Sequence, residues 1–166
     1  MKVEKYTTGD LTPYSKLLGK LYQIEDVKVV NIRLLNMLNL HGYTLISVYE
    51  EEIWDTWHPP ENLLKGVCVY KSEMRMHCGP CVFIDSLIVE DRGKGYGKAL
   101  LNYLRDNYNL VTDNFILDCP LENHNAQGFY KSNGFVPRAY SYFKTKEVFE
   151  NEEVYKHAVE DGTKTS

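Results

Sequence analysis

The stretch from Cys81 to Tyr108 limits the fold more than any other part of the chain. Cys81 to Glu90 holds Val82, Phe83, Ile84, Leu87, Ile88 and Val89, an almost unbroken apolar run of the kind a strand shows when both faces are covered. Arg92-Gly-Lys-Gly-Tyr-Gly97 follows with three glycines, and Gly95 to Tyr108 then sets Tyr96, Leu100, Tyr103 and Leu104 on one helical stripe. A central strand, a glycine loop and a packed helix in succession predict a layered α/β domain, because such a helix needs a sheet to lie on.

The flanking segments extend the pattern. Residues 2–7 suit a short strand, and Asp10 offers an N-cap to a helix from Leu11 to Tyr22 with Leu17, Leu18 and Leu21 in phase. Val27 to Leu40 repeats the helical spacing through Val30, Leu34, Leu35 and Leu38 and stops at His41-Gly42. Tyr43–Tyr49 and Leu64–Met76 read as strands around a polar loop containing Pro59-Pro60. Further on come a strand at Asn114–Cys119, a short helix at Ala126–Asn133 stopped by Gly134, and a last strand at Phe135–Lys144.

With 166 residues, 43% of them hydrophobic, one cored domain is expected, which we place at residues 1–144. Residues 145–166 form an acidic, polar extension, either disordered or docked as a helix through Val148, Phe149, Val154 and Tyr155. A net charge of −4 lacks the basic excess of a nucleic-acid binder. Met1 to Asp10 lacks the basic-then-apolar pattern of a signal peptide, and no apolar run reaches the roughly 20 residues that span a bilayer. A cytoplasmic protein with no membrane partner and with reduced cysteines (Cys68, Cys78, Cys81, Cys119) is the expectation.

A glycine loop between a strand and a helix start offers unpaired backbone N–H groups at the positive end of a helix dipole, an arrangement that binds phosphate oxygens. Gly93, Gly95 and Gly97 let the main chain approach a pyrophosphate, and Arg92, Lys94 and Lys98 add charge. The segment lacks the Gly-Lys-Ser/Thr ending of a nucleotide P-loop. It also sits too far along the chain for a dinucleotide fold, which wants the loop after its first strand.

These residues resemble the GNAT acetyltransferase superfamily, whose acetyl-CoA motif is Arg/Gln-x-x-Gly-x-Gly/Ala. Asn123, Ala126, Phe129, Tyr130, Gly134 and Phe135 match a second GNAT-like signature. The resemblance implies the GNAT fold: a mixed, mostly antiparallel twisted sheet with a splayed pair of parallel strands, flanked by helices. Leu18-Gly-Lys-Leu21, Cys78-Gly-Pro-Cys81 through Ile84-Asp85 to Val89, and Ile116-Leu-Asp-Cys119 are similar to eukaryotic-type glucosamine-6-phosphate N-acetyltransferases. That likeness runs from about Asp10 to Lys144 and implies an amino-sugar phosphate as acceptor and a homodimer as assembly.

Carried over residue by residue, the resemblance implies acetyl-CoA contacts at Leu87, Ile88, Val89, Arg92, Gly93, Lys94, Gly95, Tyr96, Gly97, Lys98, Asn123, Asn125, Phe129 and Tyr130. Asp85, where similar enzymes carry Glu, is the candidate base or orienter of the amine, with Ser86 beside it. Backbone N–H groups near Leu87 are the candidate carbonyl binders. Tyr130 is the candidate partner of the departing sulfur, by proton donation or by hydrogen bonding. Arg75, His77, Asp118 and Lys131 are candidates for the acceptor, the cationic ones for its phosphate. No metal is called for.

Other readings compete. Cys78-Gly-Pro-Cys81 is also the thioredoxin dithiol motif, but the β-rich residues after it make it a turn between strands rather than a helix start. Zinc would need more ligands than this pair and the adjoining His77 supply. A non-catalytic acetyl-CoA-binding module would need neither Asp85 nor Tyr130, and polyamines or protein amines are alternative acceptors.

Overall fold

The structure is a computed structural model that describes residues 1–50, 63–108, 112 and 114–139. Two compact units make up the chain, residues 1–133 and 134–166, and the elements below all lie in the first.

Strand β1 (Lys2–Lys5) is followed by helices α1 (Thr12–Tyr22) and α2 (Val27–Leu40) and strand β2 (Thr44–Tyr49). Strands β3 (Leu64–Arg75) and β4 (Gly79–Val89) form a long hairpin, followed by α3 (Tyr96–Tyr108), β5 (Phe115–Leu117) and α4 (His124–Ser132). The sheet order is β1-β2-β3-β4-β5, antiparallel throughout except for the parallel β4–β5 pair. This is the mixed α/β architecture expected.

Helix α1 starts one residue later than the spacing predicts. Its N-cap is Leu11, while the Asp10 carboxylate accepts from the Thr12 N–H at 2.9 Å and its hydroxyl at 2.7 Å. Those bonds hold the Asp10 carboxyl below its usual range. Asp26 caps α2 through the Lys28 N–H.

One sheet face is covered by α1 and α2, whose Leu17, Leu18, Val30 and Leu34 bury against Leu45, Tyr49, Val67 and Val69. Helix α3 packs against β2, β3 and β4, and its Leu100 and Leu104 are wholly buried, each contributing about 1.5–3 kcal/mol of transfer free energy. Strand β4 is interior, as expected, but β3 holds the middle of the sheet. Nor is β4 buried on both faces: Phe83, Asp85, Leu87, Ile88 and Val89 are only partly covered. Strand β5 pairs with β4 only from Val82 to Ile84.

Residues 135–139 form no strand, and 140–144 lie outside the described residues. Pro137 supplies no N–H for a ladder there. The loop at 51–62 and the extension at 145–166 also lie outside the described residues, and no helix among those described is long and apolar enough to cross a membrane.

Candidate active site

Strand β4 carries a bulge at the centre of the site. Val69 of β3 pairs with Ser86 and the next residue, Tyr70, pairs with Ile84, so Asp85 is an extra residue with no counterpart. Successive side chains on a regular strand point to opposite faces. The bulge lets the consecutive Asp85 and Ser86 reach the same neighbour, the Tyr22 hydroxyl at the end of α1. Tyr22 Oη lies 3.2 Å from Asp85 Oδ2 and 2.5 Å from Ser86 Oγ, and Ser86 Oγ donates to Asp85 Oδ2 at 2.7 Å. Ser86 is 4% exposed and Tyr22 49%, so the carboxylate sits between a buried hydroxyl and a half-exposed ring.

Beyond the bulge, β4 has no partner on its β5 side among the described residues. The Glu90 N–H bonds Lys65 on the β3 side at 2.8 Å. Alternation along the strand therefore turns the Leu87 and Val89 N–H groups toward the open side, two donors facing a gap.

Tyr130 lies on α4, its ring edge-on to Phe129 with centroids 5.3 Å apart. Burial pushes its phenol well above its ordinary pKa, and the groups that push it further are Cys68 of β3, Cys119 after β5, and Tyr22. Groups from β3, from the segment after β5 and from the end of α1 therefore all act on it electrostatically. Cys68 is fully buried, and burial raises its thiol too, Asp85 adding to the effect. A thiol held protonated in this way is a packing residue rather than a nucleophile.

The glycine loop joins β4 to α3. Gly93 and Gly95 have φ of 76° and 85°, which side chains other than glycine adopt only with strain. The first α3 bond described runs from the Ala99 N–H to the Gly95 carbonyl at 2.9 Å, so the N–H groups of Tyr96, Gly97 and Lys98 precede the helical ladder. Arg92, Lys94 and Lys98 are exposed around them. This donor set fits the pyrophosphate of a CoA-type ligand.

Two loop residues have other tasks than backbone approach to a ligand. Tyr96 is 6% exposed and its side chain lies beside Glu50 and Lys65 rather than in the loop. Gly97 has ordinary helical backbone, and a Cβ built on it would lie 2.9 Å from Cζ of the Phe129 ring. It is the seat on which α4 rests against the first turn of α3. Replacing Gly97 by Ala improves helix propensity by up to about 1 kcal/mol but forces Phe129 outward, and such overpacking costs about 1–3 kcal/mol. We expect Gly97→Ala to lower urea-unfolding stability by about 1 kcal/mol and the further change Phe129→Leu to recover it; an equally destabilised double variant would dismiss the contact.

The remaining predicted residues separate into near and far. Asn123 caps α4, its Oδ1 accepting from the Ala126 N–H at 3.1 Å, and Asn125 is exposed on the same helix. Lys131 is exposed next to Tyr130. The Arg75 guanidinium, ion-paired with Glu73, folds back to 5.1 Å from the centre of the Phe83 ring, two residues along β4 from Asp85. Asp118 influences the same guanidinium. His77 is placed elsewhere: it is exposed in the β3–β4 turn, beyond Gly79 and therefore about 20 Å or more of strand from Asp85.

Sequence reasoning missed Tyr22 beside Asp85, and Lys71, Tyr43 and Phe83 in the surface that holds Arg75. Lys71 lies 5.1 Å from the Tyr43 ring centre and 5.9 Å from that of Phe83, and its Nζ is 3.1 Å from Glu73. Lys71, Tyr43 and Phe83, with Arg75, make a two-cation, two-ring surface around one carboxylate. The period-2 alternation Lys71, Glu73, Arg75 was the available signal.

Cys78 lies in the hairpin turn and Cys81 on β4, both as free thiols, so the Cys-x-x-Cys segment does not begin a helix as the redox motif requires. Among the described residues no three metal-ligating side chains cluster.

A family model described as the acetyltransferase (GNAT) domain matches residues 61–137. Among solved structures, the chain is similar to a ribosomal-protein-alanine N-acetyltransferase from Brucella melitensis (TM-score 0.65, 17% identity, covering 87% of this chain and 98% of that one). It is similar as well to an aminoglycoside N-acetyltransferase in complex with CoA (0.68, 16%, 88% and 94%) and to an acetyltransferase from Trypanosoma brucei (0.64, 20%, 87% and 98%). A comparison with curated protein sequences gives no match. At these identities the structural likeness is one of fold: the chain has the fold of the GNAT acetyltransferases, and its β3-to-α4 region matches the model of their domain.

Proposed function

We propose that this protein transfers an acetyl group from acetyl-CoA to a primary amine, and that the amine belongs to an amino-sugar phosphate, glucosamine 6-phosphate first among them. The observation that carries the proposal is the bulged carboxylate. Asp85 stands on the strand that feeds the glycine loop, beside a strand edge with no partner among the described residues, and shares a neighbour, Tyr22, with the tyrosine on α4.

Bound acetyl-CoA supplies the thioester, an acyl group already activated toward amines. Arg92 to Lys98 hold its pyrophosphate by backbone donors and charge, and the Leu87 and Val89 N–H groups are the donors available to a carbonyl oxygen. An ammonium must lose a proton before its nitrogen can attack, and Asp85 is the carboxylate placed to take it, directly or through water. Tyr130 gives the departing thiolate a hydrogen bond.

The phosphate of the acceptor is assigned to Lys71 and Arg75. Their heads lie over Phe83, two residues and about 7 Å along β4 from Asp85, a span one sugar ring bridges. The sequence likeness at Cys78–Val89 and Ile116–Cys119 supports the same acceptor. It extends the proposal to a homodimer acting in the cytoplasm.

A thiol-release assay tests the whole. With acetyl-CoA, glucosamine 6-phosphate is expected to release free CoA well above background, and spermidine, an aminoglycoside and amino-terminal peptides much less. Turnover of one of those others with silence on the sugar phosphate overturns the acceptor while leaving acetyl transfer standing. Silence on all of them, with tight acetyl-CoA binding, leaves a binding module.

A further inference from the structure

We propose that Tyr22 is a positioning residue for Asp85, so that the end of α1 belongs to the acetyl-transfer machinery rather than to the scaffold alone. This rests on the reading of Asp85 as the group that receives the amine's proton.

The proton count in the triangle of Tyr22, Ser86 and Asp85 is informative. The carboxylate only accepts, and the two hydroxyls have one proton each. Ser86 donates to Asp85 Oδ2 at 2.7 Å, so the proton of Tyr22 supports the pair, through Ser86 Oγ at 2.5 Å and more weakly onto Oδ2 itself at 3.2 Å. Donation therefore runs Tyr22 to Ser86 to Asp85, each link strengthening the next. Burial raises the Tyr22 phenol, and Asp85 raises it further, which keeps that proton in place at neutral pH.

Tyr22 is also held firmly enough to position something. It is the last residue of α1, whose Leu17 and Leu18 are buried in the core. Gln23 ends the helix in a left-handed conformation with its N–H on the Gly19 carbonyl. Two residues back, Lys20 meets Glu90, just past the end of β4, at 2.6 Å. The hydroxyl is inside the network while the ring stays half-exposed. A bulged strand is locally less constrained than a paired one, and an outside clamp on its carboxylate supplies the missing constraint.

The test is Tyr22→Phe, which removes one oxygen and keeps the ring. The thermal midpoint should stay within a few degrees, KM for acetyl-CoA within about twofold, and kcat should fall about tenfold, the worth of one hydrogen bond to a charged group. In an Asp85→Asn background the same change should cost nothing further, because a residue acting through Asp85 is silent once Asp85 is gone. A signature free of turnover completes it: the Asp85 carboxyl 13C resonance should move in Tyr22→Phe while that of Asp26 does not. Additive losses in the double variant, or an unmoved Asp85 resonance, overturn the proposal. The resonance test holds even if no amine is acetylated, so failure of the acetyl-transfer reading is seen separately.

Discussion

Asp85→Asn is expected to lower kcat for the acceptor amine by 10²- to 10⁴-fold, the range that a positioned general base supplies. The substitution keeps the shape of the side chain and removes the proton acceptor. It also sets an amide against two hydroxyl donors, Tyr22 and Ser86, so Asp85→Ala belongs beside it as a control. Acetyl-CoA binding by calorimetry should change by less than about threefold, since the loop proposed to hold the pyrophosphate begins several residues later. If Asp85 only orients the amine, the loss will fall on the acceptor's KM and kcat will be nearly spared.

Tyr130→Phe should cost about 10²-fold in kcat with little change in acetyl-CoA affinity, the scale seen when one preorganised donor to a developing anion is deleted. The pKa direction decides how Tyr130 acts. An ordinary phenol near 10 facing a thiol near 8.5 already makes full proton transfer uphill by roughly 2 kcal/mol, and burial raises the phenol further, so hydrogen-bond donation is the favoured role. The sign gives a second check. A raised phenol remains protonated as pH climbs, so kcat should show no falling limb assignable to Tyr130 between pH 7 and 10. A limb in that window that disappears in Tyr130→Phe would refute the assignment.

Much of the fold was legible because its signals are local. Helical spacing in Val27–Leu40 and a glycine after it place α2 to the residue, and the strand, loop and helix of β4–α3 are where the pattern put them. What was missed depends on partners distant in sequence. The apolar run at Cys81–Glu90 is compatible with burial on both faces, but β5 leaves β4 after Ile84 and Leu87, Ile88 and Val89 are only partly covered. The bulge is not fixed by composition, since apolar residues on both sides of Asp85-Ser86 leave the strand's phase undetermined across that pair.

The site was legible in part for the same reason. Glycines and lysines in the loop suggest a phosphate-binding turn, and the positive φ at Gly93 and Gly95 agrees with the turn, whereas Tyr22 reads as an ordinary last residue of an amphipathic helix until α1 is laid over β4. Arg75 and His77 look equivalent in sequence. A hairpin turn separates them, carrying His77 to the tip while the long Arg75 side chain folds back over Phe83.

The seat of Phe129 on Gly97 also bears on how proteins of this kind are read by comparison. The glycine-loop motif and the α4 motif are ordinarily counted as two separate matches, yet one contact binds them sterically, so they are not statistically independent. In a set of related chains, positions 97 and 129 should covary in volume, an alanine or serine at the first accompanying a smaller side chain at the second. A chain with a bulky residue at both would keep each motif's surroundings and lose the packing between them, and it should be sought among relatives that have given up the reaction.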